Sequence, residues 1–124
     1  MKKVILNILM GLMVIGVSMA QQRMPRTPEQ RAEMQTKRLT KEITLTADQQ
    51  TQVKNILLSR AIKVDSLRAD QTMDKSQRMQ QLKAIKDEGD VSIQKVLSPE
   101  QYKKYLDLQE EQMDKVQQRR QSRQ

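Results

Sequence analysis

The side chains able to do chemistry in this sequence are carboxylates, amides and hydroxyls. Histidine and cysteine are both absent, which removes imidazole and thiolate as metal ligands, nucleophiles and general bases, and removes disulfides as well. Carboxylates are the only catalytic candidates left, and they are scattered. Glu110, Glu111 and Asp114 read as a solvated helix face that offsets nearby lysines, so no enzyme activity, no cofactor and no metal are expected. What recurs instead is hydrogen-bonding chemistry. The stretch Leu45-Thr46-Ala47-Asp48-Gln49 and the stretch Leu97-Ser98-Pro99-Glu100-Gln101 carry one pattern twice, fifty-two positions apart.

That pattern is the start of a helix. A hydroxyl at the cap position accepts from the backbone of the third helical residue, while a glutamine at that third residue reaches back to the backbone of the cap. Thr46 with Gln49, and Ser98 with Gln101, stand in this relation, and Pro99 occupies the first helical position, where its missing N–H costs nothing. Thr27 with Pro28 and Gln30, and Asp74 with Gln77, repeat the rule, so four helix starts are written into the chain. Leu97 and Tyr102 are placed to staple the entry of the last helix. Leu45 has Gln50 at the equivalent place, and its apolar partner must come from another helix.

The elements that position these caps are helical throughout. Beyond residue 20 the only glycine is Gly89 and the prolines are Pro25, Pro28 and Pro99, while Gln, Lys, Arg, Glu, Leu and Met dominate, all of them favourable in helices. The seam positions run Val53, Leu57, Arg60, Val64, Leu67, then Met79, Leu82, Lys86, Gly89, Ile93, Val96, then Tyr102, Leu106, Gln109, Met113, Val116. Steps of four and three alternate along each seam, a repeat near about 3.5 residues that calls for helices packed side by side. Ile56, Ile85 and Tyr105 widen the stripes. Arg60, Lys86 and Gln109 interrupt the seams and Gly89 sits on the apolar face, so only moderate stability is expected. Gly89 marks either a bend or close helix crossing, or simply a tolerated glycine.

Leu58 and Ile62 point away from the Val53 stripe of their helix, with Ala69 continuing their line and Lys54 flanking it. An apolar strip on the reverse face of a two-sided helix must meet a second subunit or a ligand, and Lys54, Leu58, Ile62 and Ala69 are read as a candidate dimer or client surface, dimer contact being favoured. Three rods of about 22 to 25 residues, roughly 33 to 38 Å long, with narrow stripes and only two tyrosines as aromatics, bury little apolar area as a lone monomer. A homodimer is the economical solution. The expected fold class is therefore all-α: an elongated bundle of three long helices plus a short N-terminal helix.

Met1, Lys2 and Lys3 lead an apolar run from Val4 to Val17, and Ser18-Met19-Ala20 follows with small residues. This reads as a signal peptide over 1–20 with cleavage after Ala20, the run being shorter than the roughly 20 apolar residues a membrane span needs. Without Lys2 and Lys3 the chain keeps 21 bases against 15 acids, a net charge of +6. An exported protein meets little nucleic acid, so no nucleic-acid role is expected, and unfolded polypeptides, anionic surfaces and lipid headgroups are the expected partners. The remaining organisation reads as a flexible N-terminal arm with a short helix over 21–44, a helical domain over 45–116, and a disordered basic tail over 117–124 carrying Arg119, Arg120 and Arg123.

An exported, all-helical chain with two Leu-Thr/Ser-x-x-Gln phrases at helix starts resembles the Spy/CpxP family, named for its LTxxQ motif. The resemblance covers roughly Leu45 to Val116 and is carried by Leu45, Thr46, Gln49, Leu97 and Gln101, with Ser98 in place of threonine. It implies a cradle-like antiparallel homodimer in the periplasm and an ATP-independent holdase-type chaperone for unfolded or stressed envelope proteins. It implies equally an alternative, an accessory regulator that docks on the periplasmic domain of an envelope-stress sensor kinase. The family's zinc-binding relatives have no parallel here, because the chain supplies no nitrogen or sulfur ligand.

Overall fold

The computed structural model describes residues 24–124; the segment read as a signal peptide lies outside them. Four helices follow one another: α1 (Pro28–Ile43), α2 (Ala47–Ala69), α3 (Lys75–Val96) and α4 (Pro99–Gln121). Among the described residues there is no strand, and no helix is long and apolar enough to cross a membrane.

Each helix opens on a complete capping box. Thr27, Thr46, Asp74 and Ser98 accept from the backbone of Gln30, Gln49, Gln77 and Gln101, and each glutamine returns to the backbone of its cap. The boxes satisfy donors that every helix start otherwise leaves without a partner, and they fix where the chain turns. The stops are less uniform. α1 ends at Thr44 with φ of 60°, the one non-glycine residue in the left-handed region among those described. A β-branched residue is disfavoured there.

The chain runs up, down, up and down, and α2 lies in the middle. α1 and α3 pack along its two sides, whereas α4 meets α1 and α3 at few points and its backbone nowhere comes within 8 Å of that of α2, Cα to Cα. The core gathers around the end where α1 gives way to α2 and α3 to α4: Ala32, Ile43, Leu45, Val53, Leu57, Ile93, Leu97 and Tyr105 are buried together. Val53 and Ile93 are 0% exposed. Toward the other end only Leu67 is buried, while Met79, Met113 and Val116 stay open to solvent.

Two expectations need correction. The segment 21–44, read as a flexible arm with a short helix, does hold a helix, of sixteen residues, but that helix is part of the core, with Ala32, Thr36 and Ile43 buried against the rest. Its pattern looked weak because small and hydroxyl residues do the packing: Ala32 is 1% exposed, and the Thr36 hydroxyl donates to the Ala32 carbonyl, so it needs no water. Arg31 adds an ion pair to Asp65 on α2. The basic tail is likewise helical as far as Gln121, which leaves only the last residues outside α4.

The reverse face of α2 is partly covered within the chain. Leu58 is half-buried and packs against the core instead of forming an open strip with Ile62. α2 is apolar on two sides because it has two neighbours within its own chain, α1 and α3, and a two-sided helix does not by itself call for a second subunit.

Candidate functional site

The paired phrases meet. Gln49 and Gln101 each finish their own capping box through Oε1, which accepts from the backbone of Thr46 and of Ser98, both at 3.0 Å. Each then reaches across to the other. Gln49 Nε2 donates to Gln101 Oε1 at 2.7 Å and Gln101 Nε2 donates to Gln49 Oε1 at 3.0 Å. The remaining amide hydrogens go to the last turns of the opposite hairpin: Gln49 Nε2 to the Val96 carbonyl and Gln101 Nε2 to the Thr44 carbonyl, both at 3.1 Å. Thr44 precedes Thr46 by two positions and Val96 precedes Ser98 by two, so the network has a two-fold pattern. Both donors of each amide are used and each Oε1 accepts twice. Leu45 and Leu97, 5% and 8% exposed, sit in the core directly before their caps. The motif occurs twice because the two copies bind each other and seal one end of the molecule.

Halfway along the helices a second polar cluster gathers the residues that interrupt the apolar seams. Lys86 Nζ lies 2.7 Å from Asp90 Oδ2, while Tyr105 donates its hydroxyl to Asp90 Oδ1 at 2.8 Å and Gln109 Nε2 donates to the same oxygen at 3.2 Å. Arg60 stands 3.8 Å from that oxygen. Three helices are thereby tied to one carboxylate whose side chain is 15% exposed. Burial pushes the Asp90 carboxyl up, but the hydrogen bonds from Lys86, Tyr105 and Gln109 outweigh it and hold the group below its ordinary value. Burial, and then the hydrogen bond to Asp90, push the Tyr105 hydroxyl far above its ordinary value, so it stays a donor at every physiological pH. Gly89 serves this cluster: a Cβ there would come 3.1 Å from Cδ of Arg60, whose stem crosses the helix at that point. α3 runs through Gly89 without a break, so the glycine marks a close approach.

Beyond the Asp90 cluster α4 stands away from the other helices. A cleft of about 500 Å³ opens there, floored by Val64 of α2, Leu82 and Ile85 of α3, and Met113 and Val116 of α4. Arg60, Lys86 and Arg120 are its charged residues. On the α1 side of α4 a smaller gap of about 170 Å³ is lined by Leu39, Leu57, Tyr105 and Leu108, with Arg38 and Arg60 as its charges. No carboxylate lines either space. By contrast the α1–α2 groove holds Glu33 and the α2–α3 groove holds Glu88.

The four residues read as a dimer or client surface all lie on α2 and differ in their surroundings. Lys54 lies in the α1–α2 groove, Leu58 belongs to the margin of the core, Ile62 is 46% exposed, and Ala69 is the exposed last residue of α2. Sequence reasoning missed the convergence of Arg60, Lys86 and Gln109 on Asp90. The available signal was that all three interruptions fall near the middle of their helices, at one level of an up-and-down bundle. Among the described residues no group of three or more acidic side chains is placed to hold a metal ion.

Residues 18–105 match the family described as Domain of unknown function (DUF4890), a span that includes α1, α2, α3 and the first turns of α4. No curated protein and no solved structure matches the chain.

Proposed function

The chain belongs to the DUF4890 family, and we propose that it is an ATP-independent holdase of the periplasm that binds unfolded or stressed envelope proteins. The observation that carries the proposal is the distribution of exposed apolar side chains. Met24, Met34, Ile62, Met79, Val91, Leu106, Met113 and Val116 are each between 44% and 83% exposed and are spread along the molecule among charges of both signs. Four of the eight are methionines, whose unbranched thioether side chains adapt to many shapes. Many weak apolar contacts on a basic scaffold favour clients that present apolar segments without a fixed shape. The net charge of +6 that remains without Lys2 and Lys3 adds long-range attraction to acidic unfolded chains.

The twin Leu-Thr/Ser-x-x-Gln phrases support the same reading through their resemblance to the Spy/CpxP family, and with it the proposal that the protein acts as a homodimer after export. The test is to add the purified protein, without nucleotide, to several unrelated proteins unfolding at equimolar ratio, and to follow light scattering. The expected result is slowed aggregation of most clients. Aggregation at the uninhibited rate for all of them refutes the holdase. Sedimentation with and without an unfolded client reads the oligomeric state at the same time, and a monomer in both conditions refutes the dimer.

A further inference from the structure

We propose that the cleft beneath the outer half of α4 is a binding site for a long-chain fatty acid. The acyl chain would lie along Val64, Leu82, Ile85, Met113 and Val116, and the carboxylate would meet the cations of the rim. This goes beyond the holdase reading and does not depend on it.

Three features of the cleft lead to this ligand class. Its apolar residues come from three helices and line one cleft, Val64 from α2, Leu82 and Ile85 from α3, Met113 and Val116 from α4. Its volume of about 500 Å³ falls within the usual size of small-molecule sites. Its charge is one-sided: in a chain with 15 acids to 23 bases, the cleft is lined by Arg60, Lys86 and Arg120 and by no carboxylate. Asp90 lies behind the lining and pairs with Lys86 and Arg60, which offsets one of those charges and keeps both cationic side chains in place. An apolar trough with a positive rim complements a molecule that is apolar along its length and anionic at one end.

Other occupants fit less well. A second copy related by a two-fold axis would set this patch against itself, bringing Arg60, Lys86 and Arg120 toward their own equivalents. A bilayer presents a broad surface of headgroups, whereas the apolar residues here line a cleft between α2, α3 and α4, with Val64, Leu82 and Ile85 half-buried. A single acyl chain enters such a trough from its open end.

The test is a fluorescence titration of the purified protein with cis-parinaric acid. Competition by palmitate, by dodecanoate and by the nonionic dodecyl maltoside follows, the last two below their micellar concentrations. The expected result is saturable binding of one probe per chain, displaced by palmitate and by dodecanoate but not by dodecyl maltoside. The exposed substitutions Val116→Glu and Arg120→Glu are each expected to weaken binding about tenfold, or about 1.4 kcal/mol, with unchanged helicity by circular dichroism. The proposal is overturned by absence of saturable binding, by equal displacement with the maltoside, or by wild-type affinity in both variants. Capture of the protein by phosphatidylglycerol vesicles without binding of the monomeric probe also overturns it. Because the holdase is read from client aggregation, either proposal can fail while the other stands.

Discussion

If Gln49 and Gln101 bind each other, replacing both costs less than the two single replacements added together. Gln49→Ala removes four hydrogen bonds: the return to the Thr46 backbone, the bond to the Val96 carbonyl, and the two exchanged with Gln101. Gln101→Ala removes the matching four. The site is half open to water, so the low end of the usual net value applies, about 0.5 kcal/mol per bond, which gives about 2 kcal/mol for each variant. Two of the bonds are common to both, so the double variant loses about 3 kcal/mol, and the coupling is about 1 kcal/mol. Urea unfolding reads this directly. With a slope of about 1.2 kcal/mol per M for a chain of this size, the midpoint falls by about 1.7 M in each single variant and about 2.5 M in the double. Gln77→Ala is the control, because Gln77 exchanges bonds only with its own cap Asp74; its expected cost is about 0.5 to 1 kcal/mol. Additivity of Gln49→Ala and Gln101→Ala within about 0.3 kcal/mol would show that each glutamine only caps its own helix, and the sealed end would have to be abandoned.

Other perturbations give equally definite outcomes. Asp90→Asn keeps the shape but removes the charge that Lys86 and Arg60 face, and a loss of about 1 to 2 kcal/mol is expected by thermal or urea unfolding near pH 7. Because the folded protein holds Asp90 below its ordinary value, that stabilisation is present above about pH 4 and disappears as the pH falls through the folded value. Unfolding followed from pH 6 down to pH 2 is therefore expected to show a shallower acid decline in Asp90→Asn. The remaining decline comes from Asp65, held low by its bond from Arg31, Asp70, by its bonds from Thr72, and Glu111, by its bond from Lys115. Thr44→Gly relieves the left-handed backbone at the end of α1 and is expected to raise stability by about 0.5 to 1 kcal/mol, measured as the urea midpoint. Ile93→Ala empties the centre of the core at a cost of about 2 to 5 kcal/mol, whereas Met113→Ala, at an exposed site, is expected to change stability by less than about 0.5 kcal/mol.

The helices were legible because their starts are local chemistry: a hydroxyl or carboxylate and a glutamine three residues on decide the cap wherever the helix lies in the fold. The seams were legible only in part. Val53, Leu57 and Ile93 are buried as their spacing indicates, but Met79, Leu106, Met113 and Val116 on the same stripes are exposed. Periodicity shows which face of a helix is apolar and not whether another helix arrives to cover it. α1 was undervalued because Ala32 and Thr36 bury little area each, yet permit close approach. On the reverse face of α2, Leu58 is half-buried against the core, and spacing alone does not say which residues cover it. Neither the Gln49–Gln101 pair nor the Asp90 cluster was visible, since both depend on which helix ends and midpoints become neighbours, and no local pattern records that.

α4 is sealed at its start by the Gln49–Gln101 pair and open along its outer half. Backbone hydrogen exchange along α4 in the native protein measures that most directly. Local opening is expected to follow the contacts, so amides from Tyr102 to Gln109, beside the core and the Asp90 cluster, are predicted to exchange about tenfold or more slowly than those from Met113 to Gln121. Equal protection along the whole of α4 would contradict the account.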